Sequence, residues 1–111
     1  LIPVQPQYYA ADALTELLKV VKGTKKRFNP EIEVEGILFT MDSARYNNSK
    51  RNKKAVKEAY GKEMRVFENS IPRLEAIAEI ASEGISIFEY DSRSKGAKSY
   101  EMLAQEVLNR A

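Results

Sequence analysis

Residues 33–41 read EVEGILFTM and hold the most informative apolar run of the chain. The central residues Ile37–Phe39 are all apolar, whereas a strand with one wet face alternates apolar and polar residues. An unbroken apolar run is typical of a strand in a parallel sheet whose two faces are both covered by helices. We therefore predict a strand over Glu33–Met41 inside an α/β fold.

Strand and helix patterns alternate on both sides of this segment. Three further strands are predicted at Leu1–Val4, Arg65–Ile71 and Ser86–Tyr90. Helical spacing of apolar residues predicts a first helix from about Ala10 toward Phe28, stopped by Asn29-Pro30, and a second capped by Ser49 and ended by Gly61. A third follows Pro72 and closes at Gly84, and a last one follows Gly96. Four strand-helix units in this order predict a mostly parallel sheet with right-handed crossovers and helices on both faces.

The composition excludes several classes of protein. The 111 residues are 43% hydrophobic and 31% charged, as in a globular domain or part of one. Cys and His are both absent, so disulfides, Ser-His or Cys-His catalysis and imidazole-bound zinc are excluded. No apolar run approaches the ~18 residues that span a bilayer, so we expect no membrane insertion and a cytoplasmic location. Because the chain opens at Leu1 inside a strand-like run, we expect the natural protein to begin upstream.

Catalytic and metal-binding patterns are missing from the sequence. The five glycines are isolated, and neither G-x-x-x-x-G-K-[ST] nor G-x-G-x-x-G occurs, so this chain alone offers no phosphate-gripping loop. Glu31, Glu33 and Glu35 alternate along the start of a strand, which places them together on its wet side. We predict no catalytic residue and no metal ligand.

Positive charge is concentrated in one segment. Residues 45–57 contain six cations and no acid: Arg45, Lys50, Arg51, Lys53, Lys54 and Lys57. Because the whole chain carries +2, the other residues together carry −4. Tyr46, Asn47, Asn48 and Ser49 add hydrogen-bond donors suited to phosphate oxygens. The pattern favours contact with DNA phosphates, although an ordinary solvated helix face would show the same charge run.

Five segments, taken together and in order, resemble one protein family. They are Ile2–Gln5 (IPVQ), Tyr8–Ala10 (YYA), Glu35–Met41 (EGILFTM), Ser70–Arg73 (SIPR) and Ser86–Ala97 (SIFEYDSRSKGA). The chain resembles the ParA/Soj chromosome- and plasmid-partitioning ATPases, which are deviant-Walker P-loop proteins, in the half that follows their Walker B strand. The likeness runs from Ile2 to Val107.

The resemblance implies a parent protein that uses ATP and Mg²⁺, dimerises around ATP and binds DNA without sequence preference. It also implies a ParB/Spo0J-like partner that stimulates hydrolysis, a homo-oligomeric and nucleoid-associated protein, and no membrane. The catalytic equipment of such a parent lies upstream. Residues 1–111 would then be the carboxy-terminal portion of a single ParA-like ATPase domain, inactive by itself and without bound nucleotide.

Few site residues can be carried over from the resemblance. Ile71, Pro72 and Arg73 match the segment that lines the adenine side of the nucleotide pocket, and Arg45 matches an arginine that relatives use to bind DNA. Ala76 stands where relatives carry a further basic residue, so a different cargo stays open. A nucleotide-free binding or scaffold module, and a P-loop ATPase that positions proteins, stay open as well.

The tyrosines and the Ile71–Arg73 segment also have plainer interpretations. We expect Tyr8, Tyr9 and Tyr100 to serve packing. Pro72 is also suited to end a strand, and Arg73 to pair with an acid.

Overall fold

The structure, a computed structural model, describes residues 1–43, 45 and 47–110, with only the backbone of Arg110. Within these residues the elements are β1 (Ile2–Val4), α1 (Ala11–Arg27), β2 (Ile37–Phe39), α2 (Asn47–Tyr60), α3 (Glu75–Glu83), α4 (Ile87–Asp91) and α5 (Lys95–Arg110). A single 3-10 turn, Pro6–Tyr8, joins β1 to α1.

The strand at the centre of the sheet is β2. It pairs in parallel with β1, Ile2 lying opposite Ile37, and the backbone of residues 65–73 runs parallel along its other edge. Ile37 N donates to the Arg65 carbonyl at 2.8 Å, and Phe67 N donates to the Ile37 carbonyl at 2.9 Å. The predicted strand at residues 33–41 is thus confirmed at its apolar centre, and the extended segment predicted to follow it is its neighbour.

Both faces of β2 are covered. Ile37 and Phe39 belong to one buried cluster with Ile2 of β1, Leu14 of α1 and Val56 of α2. Leu38 points to the other face and joins a second cluster whose members are Phe67, Ile71 and the partly buried Ile77, Leu103 and Val107 of α3 and α5. The unbroken apolar run therefore reflects helices on both sides, and the α/β class is confirmed.

Gly36 allows the third segment to approach β2 closely. Its φ of +154° lies where L side chains are rarely found, and a Cβ there would sit 2.7 Å from the Phe67 ring and 2.9 Å from the Arg65 carbonyl oxygen. Only glycine fits both constraints without moving the backbone. The glycine before the apolar run thus sets the spacing between β2 and its neighbour.

The prediction of a regular strand over Arg65–Ile71 is wrong. Phe67 N donates to the Ile37 carbonyl, and Ile71 N donates to the Phe39 carbonyl. The segment therefore has four residues along a length that β2 covers with two. The excess residues leave the ladder, and their amides bind Glu106 of α5 instead. Glu68 N and Asn69 N donate to its carboxylate at 2.9 and 3.0 Å, and Asn69 Nδ2 donates at 2.7 Å. The carboxylate of Glu106, distant in sequence, thus takes the place of strand pairing for these two backbone amides.

Two further predictions are corrected by the structure. The predicted strand Ser86–Tyr90 is helical, forming α4, because Ser86 caps it and its hydroxyl accepts from Glu89 N at 3.2 Å. The described chain therefore has two strands and one bridged segment in place of four strand-helix units. Ser49 is not a cap, since α2 begins at Asn47 and Ser49 lies buried in its first turn.

The ends of two helices agree closely with prediction. The first helix, predicted from about Ala10 toward Phe28, spans Ala11–Arg27. The third closes at Gly84, which has a left-handed φ of 68° and donates its N–H to the Ile80 carbonyl. Among the described residues, no helix is both long and apolar enough to cross a membrane.

The Glu106 carboxylate makes the fold sensitive to acid. Burial raises the pKa of Glu106, but hydrogen bonds from Glu68 and Asn69 and the charge of Arg65 outweigh it and hold that pKa below its ordinary value. A carboxyl with a lowered folded pKa stabilises the fold above its unfolded pKa, and this stabilisation is lost as pH falls through the folded value.

We predict that Glu106→Gln lowers the free energy of unfolding by about 1–2 kcal/mol at neutral pH, since it weakens three hydrogen bonds to a charged acceptor. The gap to the wild type should narrow as pH falls below about 4. Urea denaturation across pH measures both effects. Glu101→Gln, an exposed carboxylate of the same helix, is the matched control. If the stability difference between Glu106→Gln and the wild type does not change with pH, the ionised Glu106 carboxylate does not stabilise the fold in this way.

Candidate nucleic-acid interface

The orientation of α2 is set by its inner side. Val56 is completely buried in the first cluster, and Ser49 is 1% exposed. Asn52, on the same side, donates its amide to the Pro6 carbonyl at 2.6 Å and so ties α2 to the 3-10 turn after β1. These three positions recur at intervals of three and four residues, which is one face of a helix. The opposite face must point to solvent.

Most of the predicted basic residues of α2 lie on its solvent side, whereas Lys53 lies at the border with the inner side. Lys50, Lys53, Lys54 and Lys57 are spaced three, four and seven residues apart, so they follow one stripe along α2 at roughly 100° per residue. Lys50, Lys54 and Lys57 are exposed. Arg51 is exposed about a quarter turn away, and it donates to the Asn48 side chain at 2.6 Å. The structure thus brings these five cations onto one helix surface.

Lys53 differs from its neighbours because it is paired. Its ammonium lies 2.7 Å from Asp42, the residue that bridges beyond the end of β2, and the two side chains are only 30% and 10% exposed. Asp42 also accepts from the Ser70 hydroxyl at 2.9 Å. Lys53 therefore holds α2 against the sheet edge and is not a free cation.

The other predicted cations carry no ion pair within residues 1–43, 45 and 47–110. Arg45 is exposed in the turn before α2. Tyr46, predicted as a donor beside it, lies outside the described residues. Arg45, Lys50, Arg51, Lys54 and Lys57 form what we call the basic face. Five exposed positive charges without an ion pair among the described residues are suited to an anionic polymer.

The three predicted adenine-side residues all line one cavity of about 750 Å³ beyond the end of β2. Ile71 is 2% exposed and also packs in the second cluster, so it forms the apolar floor of the cavity. Arg45, predicted to contact DNA, lines the same cavity. Residues predicted for two different ligands thus share one cavity.

The exit of β2 into this cavity has an unusual backbone. Met41 is the only described residue other than glycine with a positive φ, at 49°. Such left-handed backbone is costly for a long side chain and is common at functional sites.

Tyr100 also lines the cavity and is 37% exposed. Tyr9 packs against the first cluster, as expected, whereas Tyr8 is 67% exposed.

Sequence reasoning missed Asp42. Its carboxylate binds Lys53 and Ser70, its amide donates to the Ile71 carbonyl, and its carbonyl accepts from Arg73 N. The available signal was its position just after a buried strand of a parallel sheet, since the carboxyl ends of such strands gather functional groups at one edge.

Several curated proteins are similar to this chain over nearly its whole length. The chain is 38% identical over 109 residues to the chromosome-partitioning ATPase Soj of Treponema pallidum, covering 98% of the chain and 42% of that protein. It is 37% identical over 110 residues to the chromosome partitioning protein ParA of Myxococcus xanthus, covering 99% of the chain and 38% of that protein. The chain belongs to the ParA/Soj family.

A third relative agrees with this membership. The sporulation initiation inhibitor protein Soj of Bacillus subtilis is 40% identical over 106 residues, which is 96% of the chain and 41% of that protein. The chain thus spans about two fifths of the length of these ParA/Soj relatives, consistent with a carboxy-terminal portion. No protein-family model matches the sequence.

The pairing of Lys53 predicts unequal effects for two neighbouring lysines. Lys53→Gln should lower the free energy of unfolding by about 1 kcal/mol or more, because Asp42 keeps a partly buried charge without its cationic partner. Lys54→Gln removes an exposed charge and should change stability by less than about 0.5 kcal/mol. Urea denaturation of both variants at neutral pH compares them. Equal effects would show that the ion pair does not hold α2.

Proposed function

We propose that this chain is the DNA-contacting carboxy-terminal portion of a ParA/Soj-type partitioning ATPase. The observation that supports the proposal is the basic face, five exposed cations without an ion pair among the described residues. Contacts from Lys and Arg to phosphate oxygens are independent of base sequence, so this surface suits non-specific DNA binding.

The spacing of the cations fits a phosphate backbone. Lys50 and Lys57 are separated by seven residues of helix, roughly 10 Å at 1.5 Å per residue. Arg45 extends the surface beyond the start of α2. Three or four simultaneous phosphate contacts are therefore within reach of one helix and its preceding turn. No base-reading group is required for this type of binding.

The activity belongs to the parent protein in this proposal. The parent uses ATP and Mg²⁺, dimerises in an ATP-dependent manner and works with a ParB/Spo0J-like partner on the nucleoid in the cytoplasm. Residues 1–111 form the carboxy-terminal portion of one ATPase domain, with Ile71, Pro72 and Arg73 on the adenine side. Because the sequence holds no glycine-rich phosphate loop, this chain by itself neither hydrolyses ATP nor binds it tightly.

Salt dependence tests the DNA contact. We predict that the chain binds a short duplex with a slope of log affinity against log salt near −3, at about −0.9 for each phosphate contact. Arg45→Glu should weaken binding about tenfold or more and flatten the slope, because one contact is lost and a repulsion is added. Fluorescence anisotropy of a labelled duplex measures both quantities.

Lys25→Glu is the matched control, since it makes the same charge reversal at the far end of α1. It should leave the slope unchanged. Equal losses of DNA affinity in the two variants would show that only the net charge of the chain matters. A DNA affinity that does not change with salt would favour a scaffold module over a DNA-binding one.

The free edge of β1 predicts self-association of this chain. No described residue pairs with the edge of β1 that faces away from β2. Apolar residues beside it are open, Leu1 being 57% and Leu17 42% exposed, and Ile2, Val4 and Leu17 line a cavity of about 420 Å³. Pro3 cannot donate to a ladder, which weakens the edge at one position only.

We expect a dimer in sedimentation velocity at tens of micromolar, formed without ATP. Leu17→Lys should shift it toward monomer, because burying a charge in the contact is unfavourable. Leu108→Lys is the control, since Leu108 is 66% exposed on α5, away from the cavity beside β1. A monomeric wild type, or a dimer indifferent to Leu17→Lys, would contradict the prediction.

A further inference from the structure

A smaller cavity lies where three helices begin. It measures about 320 Å³ and is lined by Ser49 and Lys50 in the first turn of α2, by Leu74 just before α3 and by Lys95, the first residue of α5. Helix amino termini present unpaired N–H groups and the positive end of the helix dipole. Three of them around one cavity make it favourable for negative charge.

The side chains around this cavity are also cationic. Lys50, Lys53, Arg73 and Lys95 line it, against a single carboxylate, that of Asp42. Asp42 is already compensated by the Lys53 ammonium at 2.7 Å and the Ser70 hydroxyl at 2.9 Å. The cavity therefore retains an excess of about three positive charges that no described carboxylate neutralises.

One hydroxyl in the cavity wall is buried and has no hydrogen-bond partner among residues 1–43, 45 and 47–110. Ser49 is 1% exposed, and its Oγ makes no hydrogen bond within the described residues. Leaving a buried polar group unpaired costs about 1–3 kcal/mol, so such groups are rare and call for an explanation. A ligand that accepts a hydrogen bond from Ser49 would supply the missing partner.

We propose that this cavity binds a phosphate group. Its volume is at the low end of the range for small-molecule sites, and its lining combines a hydroxyl donor, helix termini and cations, the groups that recognise phosphate oxygens. The site adjoins the basic face and shares Lys50 with it, but Ser49, Arg73 and Lys95 do not belong to that surface. The phosphate could be supplied by a free phosphate or small phosphate ester, or by one position of a DNA backbone.

The test uses inorganic phosphate and the ¹⁵N-labelled chain. Titration should give saturable chemical-shift changes at the amides of Ser49, Lys50 and Lys95, whereas chloride at equal ionic strength should not. Ser49→Ala and Lys95→Gln should each weaken phosphate binding about tenfold, the loss of one hydrogen bond to a charged group. Lys25→Gln, on α1, is the control and should bind as the wild type does.

Ser49→Ala should also retain or raise the thermal stability of the free chain, because it removes an unpaired buried hydroxyl. A short duplex that displaces phosphate from the three amides identifies the source as a DNA backbone. A duplex that leaves the bound phosphate in place identifies a free phosphate or ester. Shifts that do not saturate, that chloride reproduces, or that persist unchanged in both Ser49→Ala and Lys95→Gln would overturn the proposal.

Discussion

The whole arrangement depends on β2 being paired along both edges and covered on both faces. Ile37 is fully buried, and its N–H and carbonyl both hydrogen-bond to the third segment, whereas on the other edge the Gly36 carbonyl accepts from Ile2 N of β1. Gly36 also lets the third segment approach β2 closely. All three segments run in the same direction, so their carboxyl ends meet at one edge of the sheet. Parallel sheets concentrate ligand-binding groups at that edge. Asp42, Arg45 and Arg73 come together there for this reason.

Packing on the faces then decides which groups remain available. Asn52 and Val56 turn one side of α2 inward, so the lysines on its other side are left to the solvent. Lys53, at the border of the inner side, pairs with Asp42 and fastens the helix to the sheet edge. Two tasks are thus divided within one basic segment. Lys53 contributes to the structure, and its neighbours remain free for an anion.

Local sequence signals could predict the elements that depend on local physics. The apolar run 37–39, the helix ended before Asn29-Pro30 and the left-handed Gly84 are all such cases. The segment 65–71 could not be predicted fully, because Glu106 of α5, distant in sequence, takes over two of its amides. Residues 86–89 carry a local signal for a helix start, but their apolar residues favoured the prediction of a strand. Ser86 and Glu89 have the Ser-x-x-Glu spacing of a capping box, and the hydroxyl of Ser86 accepts from Glu89 N.

The candidate site shows the same division between local and tertiary signals. Charge density in the sequence revealed the basic face, whereas the role of Asp42 depends on tertiary contacts.

The basic face, rather than the basic last turn of α1, is the surface we expect to meet DNA. Chemical-shift mapping of the ¹⁵N-labelled chain with a short duplex at low salt distinguishes the two surfaces. We expect the largest changes at residue 45 and along the outer side of α2 from Lys50 to Lys57. The basic last turn of α1, Lys25–Arg27, offers a competing surface of similar charge density. Changes centred there, with α2 unaffected, would show that the basic face is not the DNA-contacting surface.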